Sequence, residues 1–251
     1  MSDLKGKTAI VTGGSRDIGR SCSVKLGEQG CNVVVNYNSD KSAADDTVSA
    51  VLAAGGKAIA VKGDMTKKAD VDYVVAEAVK AFGKNIHVLV NNVGGLVARK
   101  KLAEMDEAFF NQVMTLNMNS TFLMTQAVVP HMPAGSSIVN LASLAGRDGG
   151  GGGASAYSVS KGAVITFTRS MAKELGPDGI RCNALCPGMI DTTFHDTFTP
   201  DAVRKNVENS VPLRRQGHPD DCADTVVYLA SNKSAYITGA NIDINGGMYF
   251  S

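Results

Sequence analysis

Short runs of β-branched and other apolar residues alternate along the chain with longer segments in which apolar residues recur at helical spacing. Because the short runs have no polar side to turn toward water, they predict strands covered on both faces of a sheet. The predicted strands are Thr8–Thr12, Asn32–Asn36, Lys57–Lys62, His87–Asn91, Ser137–Leu141, Ile180–Leu185 and Ala240–Ile244. The predicted helices run from about Ile18 to Gln29, Lys41 to Ala54, Lys68 to Phe82, Asp106 to Val129 and Ala156 to Leu175.

This alternation of strands and helices predicts the fold class. Successive strands joined by helices pair in parallel, and helices then cover both faces of the sheet. We expect an α/β fold over residues 1–251: a single-domain, Rossmann-type doubly wound parallel sheet of about seven strands. An eight-fold barrel is the alternative, which the number of strands and the turn after the first strand disfavour. A glycine run from Gly149 to Gly153, between a strand and a helix, predicts a mobile loop.

Composition excludes several classes of function. Lys and Arg total 25 against 24 Asp and Glu, so a net charge of +1 provides no field to hold nucleic acid or an anionic membrane. The apolar runs are too short to span a bilayer, and the polar N-terminus does not resemble a signal peptide. The five cysteines are scattered, without a Cys-x-x-Cys pair or a Cys/His cluster. We therefore expect reduced thiols in a cytoplasmic protein and no metal site.

A glycine-rich turn follows the first predicted strand and leads into the first predicted helix. It is Thr12-Gly-Gly-Ser-Arg-Asp-Ile-Gly19. Small residues at such a turn let the backbone approach a pyrophosphate, and the N–H groups that begin the helix attract its negative charge. A glycine turn alone is often only a tight turn, but its place after the first strand favours a dinucleotide site.

The end of the second strand bears on the choice between NAD and NADP. An acid at this point binds the ribose 2′-hydroxyl of NAD, but here the chain has Asn36-Tyr37-Asn38, with no carboxylate before Asp40. Arg16, inside the glycine turn, could face a 2′-phosphate, and one charge-assisted hydrogen bond contributes about 1.5–3 kcal/mol. The alternative is that Arg16 is a solvated loop residue. We expect NADP(H) as cofactor, with NAD(H) as the alternative.

Several motifs together resemble the classical short-chain dehydrogenase/reductase family over nearly the whole chain. The glycine turn resembles that family's Thr-Gly-x-x-x-Gly-x-Gly, and Asn91-Asn-Val-Gly94 resembles its Asn-Asn-Ala-Gly. Pro187-Gly188 after the sixth strand resembles its Pro-Gly. The order and spacing of its catalytic tetrad match Asn117, Ser143, Tyr157 and Lys161.

The chemistry of these four residue types agrees with an oxidoreductase. Tyr157 and Lys161 are four residues apart on one helix, so they share a face. A nearby ammonium lowers the pKa of a phenol, so Tyr157 is expected to exchange a proton with the alcohol. Ser143 would hydrogen-bond the substrate oxygen. The resemblance implies that Lys161 also holds the nicotinamide ribose and that Asn117 anchors a water of a proton relay.

Each residue alone has a structural explanation. A lone tyrosine on a helix is usually packing, a lone lysine is usually solvated, and Ser143 could cap a helix. Asn117 is harder to explain structurally, because Asn is a mediocre helix former. The complete set favours the catalytic interpretation.

The resemblance implies a larger set of cofactor-binding positions. They are Gly13, Ser15, Arg16, Asp17, Ile18, Gly19, Asn36, Tyr37, Asn38, Asp64, Met65, Asn91, Val93, Gly94, Tyr157, Lys161, Pro187, Gly188, Ile190 and Thr192. Asp64 would bond the adenine amino group, although it could equally be a turn or cap residue. Two positions depart from the family pattern: Asp17 replaces a glycine and Val93 an alanine. The acid at position 17 could repel the pyrophosphate, or point away and cap a helix.

The substrate is less well defined by the sequence. The general resemblance is to 3-oxoacyl-thioester reductases and to sugar or polyol dehydrogenases. By resemblance, the former dock an acidic carrier protein through basic residues near 131–137 and 176–179, where this chain has no Lys or Arg. The loop at about 189–212 is expected to set specificity, and its polar residues, such as Asp191, His195 and Arg204, suit a hydroxylated or charged substrate. A solvent-facing lid is the alternative.

We therefore predict an NADPH-dependent reductase of a small polar ketone or aldehyde, of the keto-sugar or sugar-acid type. A 3-oxoacyl-thioester reductase is the alternative. A catalytically silent, cofactor-sensing regulator is possible on the same fold, but it would not need all four catalytic residues. The resemblance also implies a homotetramer formed through the segments Asp106–Val129 and Ala156–Leu175. His87, His131 and His218 are expected to be structural.

Overall fold

A parallel sheet of seven strands organises the computed structural model of the protein, which describes residues 2–250. The strand order is β3-β2-β1-β4-β5-β6-β7, and every pair is parallel. This confirms the predicted fold class and excludes the barrel. The strands are Thr8–Val11 (β1), Asn32–Tyr37 (β2), Lys57–Lys62 (β3), Val88–Asn91 (β4), Ser137–Leu141 (β5), Arg181–Pro187 (β6) and Asn241–Ile244 (β7).

Helices connect the strands and cover both faces of the sheet. They are Asp17–Glu28 (α1), Lys41–Ala53 (α2), Lys68–Phe82 (α3), Glu107–Met114 (α4), Ser120–Val128 (α5), Ala145–Asp148 (α6), Ser155–Leu175 (α7), Thr193–Phe198 (α8), Asp201–Ser210 (α9) and Pro219–Ala230 (α10). The described part of the chain contains no helix that is both long and apolar enough to cross a membrane.

The core lies in two layers, one on each face of the sheet. Alternate residues of a strand point to opposite faces, so Val11 packs in the layer beneath α1, α2 and α10, whereas Ile10 packs in the layer beneath α3, α5 and α7. Val34 and Val35 divide in the same way. The central strands are therefore apolar on both sides, which is why their sequence shows continuous apolar runs and no alternation.

The strand order reverses between β1 and β4, which lie side by side although β2 and β3 separate them in the chain. The connections leaving β1 and β4 therefore run to opposite faces of the sheet, and a crevice opens above the carboxyl ends of these strands. The turn after β1 and the loops after β4, β5 and β6 all meet at this edge. The functional site lies there.

Several segments differ from the predicted elements, and one of them is the short α6, which was not predicted. The helix predicted over Asp106–Val129 is divided by a π-helical turn at Thr115–Asn119, whose extra residue gives no signal in the apolar spacing. The loop predicted at about 189–212 contains α8 and α9. The helix α10 was not predicted, although His218 caps it and Pro219 begins it, both of which are ordinary start signals.

Candidate active site

A cleft of about 840 Å³ opens at the carboxyl edge of the sheet, above the point where the strand order reverses. It brings together residues that lie far apart in the chain. The site residues predicted from the sequence that line it are Gly13, Ser15, Arg16, Asp17, Ile18, Gly19, Tyr37, Asn38, Val93, Gly94, Ser143, Tyr157, Lys161, Pro187, Gly188, Ile190 and Thr192.

The glycine turn between β1 and α1 forms one wall of the cleft. Gly13 has a φ of +59°, in the region that favours glycine. A Cβ atom on Gly19 would overlap the carbonyl oxygen of Gly13, so only glycine fits where α1 begins. The turn therefore brings bare backbone to the cleft wall at a helix N-terminus, an arrangement that suits a phosphate group.

Asn36 and Asn92 hold this turn in place from neighbouring strands. The Asn36 side chain accepts a hydrogen bond from the Gly13 N–H at 3.1 Å and donates to the Gly63 carbonyl at 3.0 Å. The Asn92 amide donates to the carbonyls of Thr12 and Gly13 at 3.0 and 3.1 Å. Asn36 was predicted to contact a cofactor; it is buried beneath the turn, outside the cleft lining, and supports the turn.

Asn91 ends β4 and Asn92 follows it; Asn92 lines the cleft and the predicted Asn91 does not. Asn91 is buried on the other face of the strand, where its amide donates to Thr125 Oγ1 at 3.1 Å and to Asn140 Oδ1 at 2.9 Å. Successive residues of a strand point to opposite faces. The strand alternation was therefore the signal that could have selected Asn92.

Asp64 and Met65, two further predicted cofactor residues, also lie outside the cleft lining. Met65 is buried in the core layer beneath α3. The Asp64 carboxylate accepts hydrogen bonds from the N–H and the hydroxyl of Thr66 and pairs with Lys67 at 3.4 Å, and these bonds lower its pKa. Asp64 thus acts as a turn residue, which was the structural alternative.

Asp17, the residue that departs from the family glycine, points across the cleft. Its backbone has a φ of +51°, which few residues other than glycine adopt. Its carboxylate accepts two hydrogen bonds from Thr193, from the backbone N–H at 3.1 Å and from the hydroxyl at 2.6 Å. The acid therefore ties the glycine turn to α8, on the opposite side of the cleft.

Arg16 and Asp40 are the charged groups at the far end of the cleft from Tyr157. The Arg16 side chain is 71% exposed, and its Nε lies 3.8 Å from the Asp17 carboxylate. Asp40 accepts a hydrogen bond from the Ala43 N–H at 2.9 Å, so its carboxylate caps α2 while it lines the cleft. An exposed ion pair such as Arg16–Asp17 holds its partners weakly, which leaves the Arg16 guanidinium available to an anion.

Tyr157 and Lys161 lie one turn apart near the start of α7, and Ser143 follows β5 beside them. The Ser143 side chain lies close enough to the Tyr157 hydroxyl to lower its pKa, and the Ala145 N–H donates to Ser143 Oγ at 3.1 Å. The buried Lys161 ammonium donates to the Leu141 carbonyl and lies 5.9 Å from the centre of the Tyr157 ring. The three side chains thus line one part of the cleft, and the four-residue spacing predicts that Tyr157 and Lys161 share a face of the helix.

The pKa values of this group differ from the expectation. Tyr157 is partly exposed along its ring, but burial of its hydroxyl raises the pKa above the usual value and outweighs the lowering by Ser143. Burial also lowers the pKa of Lys161 to about 8. The expectation that Lys161 lowers the pKa of Tyr157 is therefore wrong, because desolvation makes the largest contribution to the pKa shifts of both groups.

Asn117 lies in the π-helical turn and is buried outside the cleft lining. Its amide donates to the carbonyls of Gly95 and Val113 at 2.9 and 3.0 Å, and its Oδ1 accepts from the Gly95 N–H at 2.9 Å. The side chain thus fixes the loop after β4. An anchored water would have to bond the Asn117 backbone carbonyl, which also accepts from Thr121 Oγ1 at 3.0 Å.

The substrate end of the cleft is more aromatic than the sequence suggested. Phe194 and Phe198 of α8 line it, and their ring centres are 5.1 Å apart. Asp191 and Asp196, two of the polar loop residues expected to face a substrate, both pair with Arg204 and lie outside the lining. The charged side chains of the segment 189–212 therefore pair largely with one another and not with groups in the cleft.

Arg99 and His195 are the polar side chains at this end. Arg99, which sequence reasoning missed, donates to the carbonyls of Gly152 at 3.0 Å and Phe198 at 3.4 Å. Within residues 2–250 no carboxylate lies within 4.0 Å of its guanidinium. Burial and the charges of Arg204 and Arg99 lower the pKa of His195 to about 4, so this imidazole is neutral at physiological pH.

No cluster of three or more His, Cys, Asp or Glu side chains suited to a metal ion occurs in the described part of the chain. The five cysteines are buried as free thiols. His87 accepts a hydrogen bond from the Thr8 N–H at 3.1 Å, and His218 caps α10, so both have structural contacts.

Comparison with known proteins gives consistent matches over almost the whole chain. Residues 13–249 match the family described as enoyl-(acyl carrier protein) reductase. The 3-oxoacyl-[acyl-carrier-protein] reductase FabG of Staphylococcus epidermidis is 38% identical over 245 residues, which cover 97% of this chain and 99% of that protein. The uncharacterized oxidoreductase YhxC of Bacillus subtilis is also 38% identical, over 97% of this chain and 85% of that protein.

Solved structures give the same result. The NADH-dependent reductase A1-R′, described as responsible for alginate metabolism, superposes with a TM-score of 0.91 at 34% identity and covers 100% of both chains. A short-chain dehydrogenase/reductase from Serratia marcescens gives a TM-score of 0.91 at 34% identity, over 97% of this chain and 98% of that chain.

Proposed function

The chain belongs to the classical short-chain dehydrogenase/reductase family of NAD(P)-dependent oxidoreductases, and on that premise we propose that it reduces a small carbonyl compound to an alcohol with NADPH. One observation carries the proposal. Tyr157, Ser143 and Lys161 converge at one point of a cleft whose opposite wall is the glycine turn. A proton donor and a dinucleotide-type phosphate site thus share one cavity.

The residues of the cleft fit a nicotinamide dinucleotide. At Gly19 a side chain would fill the space at the start of α1, and at Gly94 a Cβ atom would come within 2.5 Å of Asn117 Oδ1 and 2.9 Å of Lys161 Nζ. Both glycines let the main chain lie tightly against its neighbours, so the cleft wall at these two positions is bare backbone with no projecting side chain. The glycine turn and Tyr37 would hold the adenosine and phosphate half, and Lys161, Ile190 and Thr192 the nicotinamide half.

A nicotinamide held by Lys161, Ile190 and Thr192 would supply hydride-transfer chemistry to a carbonyl group. Tyr157 donates its phenolic proton to the carbonyl oxygen, which completes the alcohol. Because burial raises the pKa of Tyr157, the phenol keeps its proton at neutral pH and is ready to act as an acid. Ser143, whose oxygen already accepts from Ala145, directs its hydroxyl toward the same oxygen and stabilises the negative charge that develops there.

Lys161 supports the proton transfer from Tyr157. With a pKa of about 8 it is mainly an ammonium at pH 7. A positive charge near the phenol lowers the free energy of the phenolate that remains after Tyr157 has given up its proton. Asn117 keeps the Gly94–Gly95 loop against Lys161 and so maintains this arrangement.

We further propose that the substrate is polar and carries an anionic group, as a sugar acid or other keto acid does. Arg99 lines the substrate end, and in the described chain its guanidinium has carbonyl partners only. A planar guanidinium binds a carboxylate through two parallel hydrogen bonds. Phe194 and Phe198 would pack on the carbon skeleton. The solved relative with a role in alginate metabolism is compatible with such a substrate.

A 3-oxoacyl-thioester reductase is the second candidate. The relatives named as 3-oxoacyl-[acyl-carrier-protein] reductases favour it, and so does the basic run Arg99-Lys100-Lys101, which adjoins the cleft. Two observations favour a free carbonyl compound instead. Residues 131–137 and 176–179 carry no Lys or Arg, and Lys100 lies over the Phe109 ring, 4.5 Å from its centre.

NADPH is proposed over NADH because Arg16 is exposed at the adenosine end and β2 ends without an acid. The capping carboxylate of Asp40 opposes this preference only in part, because it is engaged with the Ala43 N–H. The solved relative described as NADH-dependent makes NADH the necessary comparison.

We propose a homotetramer as the functional assembly. Phe122 of α5 and Val159 of α7 are 42% and 51% exposed on helices that flank the site. Apolar side chains on adjoining helix faces suit a subunit interface. Light scattering of the purified protein would distinguish a tetramer from smaller assemblies.

The test is consumption of NADPH and of NADH by the purified protein with paired carbonyl substrates. Each pair consists of a keto acid or uronic-type sugar acid and its neutral ester or amide, and a 3-oxoacyl thioester is assayed beside them. We expect NADPH to be oxidised with the free acids, and Arg99→Ala to remove the preference for the acid over its neutral partner. Lys101→Ala, outside the cleft lining, is the matched control.

The alternative results are equally informative. Preference for the thioester would replace the free carbonyl compound by an acyl substrate. Binding of cofactor without turnover of any carbonyl in the panel would overturn the proposed reductase and favour the cofactor-sensing regulator.

A further inference from the structure

Asp17 occupies a position where its backbone conformation favours glycine. A φ of +51° costs a residue with a side chain free energy that glycine does not lose. Its carboxylate also stands in the turn whose backbone faces the phosphate site, so its charge opposes an anionic ligand. The backbone strain and the charge both disfavour an aspartate at position 17. The structure shows one contact that offsets them.

That contact joins Asp17 to Thr193, which is 176 positions away in the chain. Thr193 is the first residue of α8, and the preceding Thr192 does not cap the helix, because its hydroxyl donates to the Ile190 carbonyl at 3.1 Å. The Asp17 carboxylate accepts both the backbone N–H and the hydroxyl of Thr193. It therefore provides the hydrogen-bond acceptor that the local sequence of α8 lacks.

The helix held in this way packs against the catalytic tyrosine. The Phe194 ring, directly after Thr193, lies 5.9 Å from the Tyr157 ring centre to centre. Phe198, one turn further along α8, packs against Phe194, and its backbone carbonyl accepts a hydrogen bond from Arg99. A displacement of α8 would thus move the rings of Phe194 and Phe198 and, with them, the Phe198 carbonyl that Arg99 binds.

We propose that Asp17 is a positioning residue for carbonyl reduction: it fixes α8 over the substrate end of the cleft through Thr193, at the expense of cofactor affinity. The kinetic consequence rests on the proposed reductase function, whereas the ordering of α8 does not. A neutral residue of the same shape separates the two effects. Asparagine can still accept from the Thr193 N–H through Oδ1 and can donate through Nδ2 to the Thr193 hydroxyl, without the charge, whereas glycine removes both the bonds and the charge.

The pairing of Asp17 with Arg16 gives a different expectation. If the acid served only to neutralise Arg16, removal of its charge would alter the binding of NADPH and leave α8 unaffected. The Arg16 Nε is 3.8 Å from the carboxylate and the Arg16 side chain is 71% exposed, so this contact is weaker than the hydrogen bonds to Thr193.

The first measurement is hydrogen–deuterium exchange of the full chain without substrate, followed at the amides of residues 193–198. We expect exchange there to be about tenfold faster in Asp17→Gly and in Thr193→Val than in the unmodified protein. Asp17→Asn should restore slow exchange. Asp45→Asn, which removes an exposed carboxylate paired with Lys41 on α2, is the control for charge alone.

The second measurement separates the effect of Asp17 on substrate binding from its effect on cofactor binding. We expect Asp17→Gly to raise the KM for the carbonyl compound about tenfold while kcat changes less than about twofold, and Asp17→Asn to lower the Kd for NADPH without this rise in KM. The double variant Asp17→Gly/Thr193→Val should have the KM of Asp17→Gly alone, because that substitution already removes the hydrogen bond that Thr193→Val would remove.

Two outcomes would overturn the inference. One is unchanged exchange of residues 193–198 in Asp17→Gly, and the other is multiplication of the two KM effects in the double variant. Failure to fold is not expected to obscure the result, since glycine adopts the backbone angle of position 17 readily. If no carbonyl compound is reduced at all, the exchange measurement still decides whether Asp17 orders α8.

Discussion

Asn117 and Gly95 exchange two hydrogen bonds, side chain to backbone in both directions, each at 2.9 Å. This reciprocal pair fixes the loop after β4 against the π-helical turn. Single π turns inside a helix are frequent at functional sites, and here the turn places an asparagine amide beside the lysine of the active site. The neighbouring Gly94 therefore has no room for a side chain.

The first prediction concerns that lack of space. Gly94→Ala should lower kcat/KM at least about tenfold and cost about 1–3 kcal/mol of stability, because the new Cβ atom would displace Asn117 Oδ1 and Lys161 Nζ. Gly95→Ala is the matched control, since its Cβ would meet only Leu116 Cδ2 at an ordinary 3.5 Å. Turnover and thermal unfolding of both variants measure the difference. Equal losses of activity and stability in the two variants would contradict the inferred lack of space at Gly94.

The second prediction tests the proton donor. Tyr157→Phe should lower kcat by about 10²–10⁴-fold, because the phenol that supplies the proton is removed while the ring remains beside Phe194. The Kd for NADPH, followed by nicotinamide fluorescence, should change less than about twofold. Tyr236→Phe, which alters a fully exposed tyrosine, is the control. A Tyr157→Phe enzyme that keeps most of its turnover would exclude Tyr157 as the acid.

The third prediction concerns the choice of cofactor. Arg16→Ala should raise the Kd for NADPH by about ten- to a hundredfold and that for NADH much less, because only NADPH carries the 2′-phosphate. Arg20→Ala, one turn along α1 and outside the cleft lining, is the matched control. Equal losses for the two cofactors would mean that Arg16 acts on the shared pyrophosphate.

The fourth prediction is a pH dependence. Burial lowers the pKa of Lys161 to about 8, so its ammonium is present below that pH and is lost as the pH rises through it. Reduction should therefore be independent of pH near 6–7, and log kcat/KM should fall with a slope approaching −1 above about pH 8. No second break is expected between pH 5 and 7, because the pKa of His195 lies near 4. A profile that stays flat to pH 10 would contradict this role of Lys161.

The sheet and the catalytic side chains could be predicted from local signals. Apolar runs such as Ser137–Leu141 need both faces covered, and the structure places that strand at the predicted residues. Tyr157 and Lys161 meet because four residues make one helical turn. Such relations depend on spacing within one element and are therefore visible in a single sequence.

What could not be predicted depends on contacts between distant segments. The sequence marks Asp17 as unusual, but nothing near it indicates Thr193 as its partner. Arg204 lies in a polar loop, and only the folded chain shows that it binds Asp191 and Asp196 and leaves Phe194 to face the cleft. The prediction of Asn91 in place of Asn92 is an exception, because strand alternation is a local signal and it places these two side chains on opposite faces.

The reversal of strand order between β1 and β4 also means that the two ends of the cleft come from different parts of the chain. The glycine turn, Arg16 and the end of β2 all precede residue 41, whereas the proton donor and its partners all follow residue 116. An exchange of the first part with that of a relative could thus change cofactor choice while the second part keeps its chemistry. The hydrogen bonds of Asp17 to Thr193 join the two parts, so a functional hybrid would have to inherit both residues as a pair.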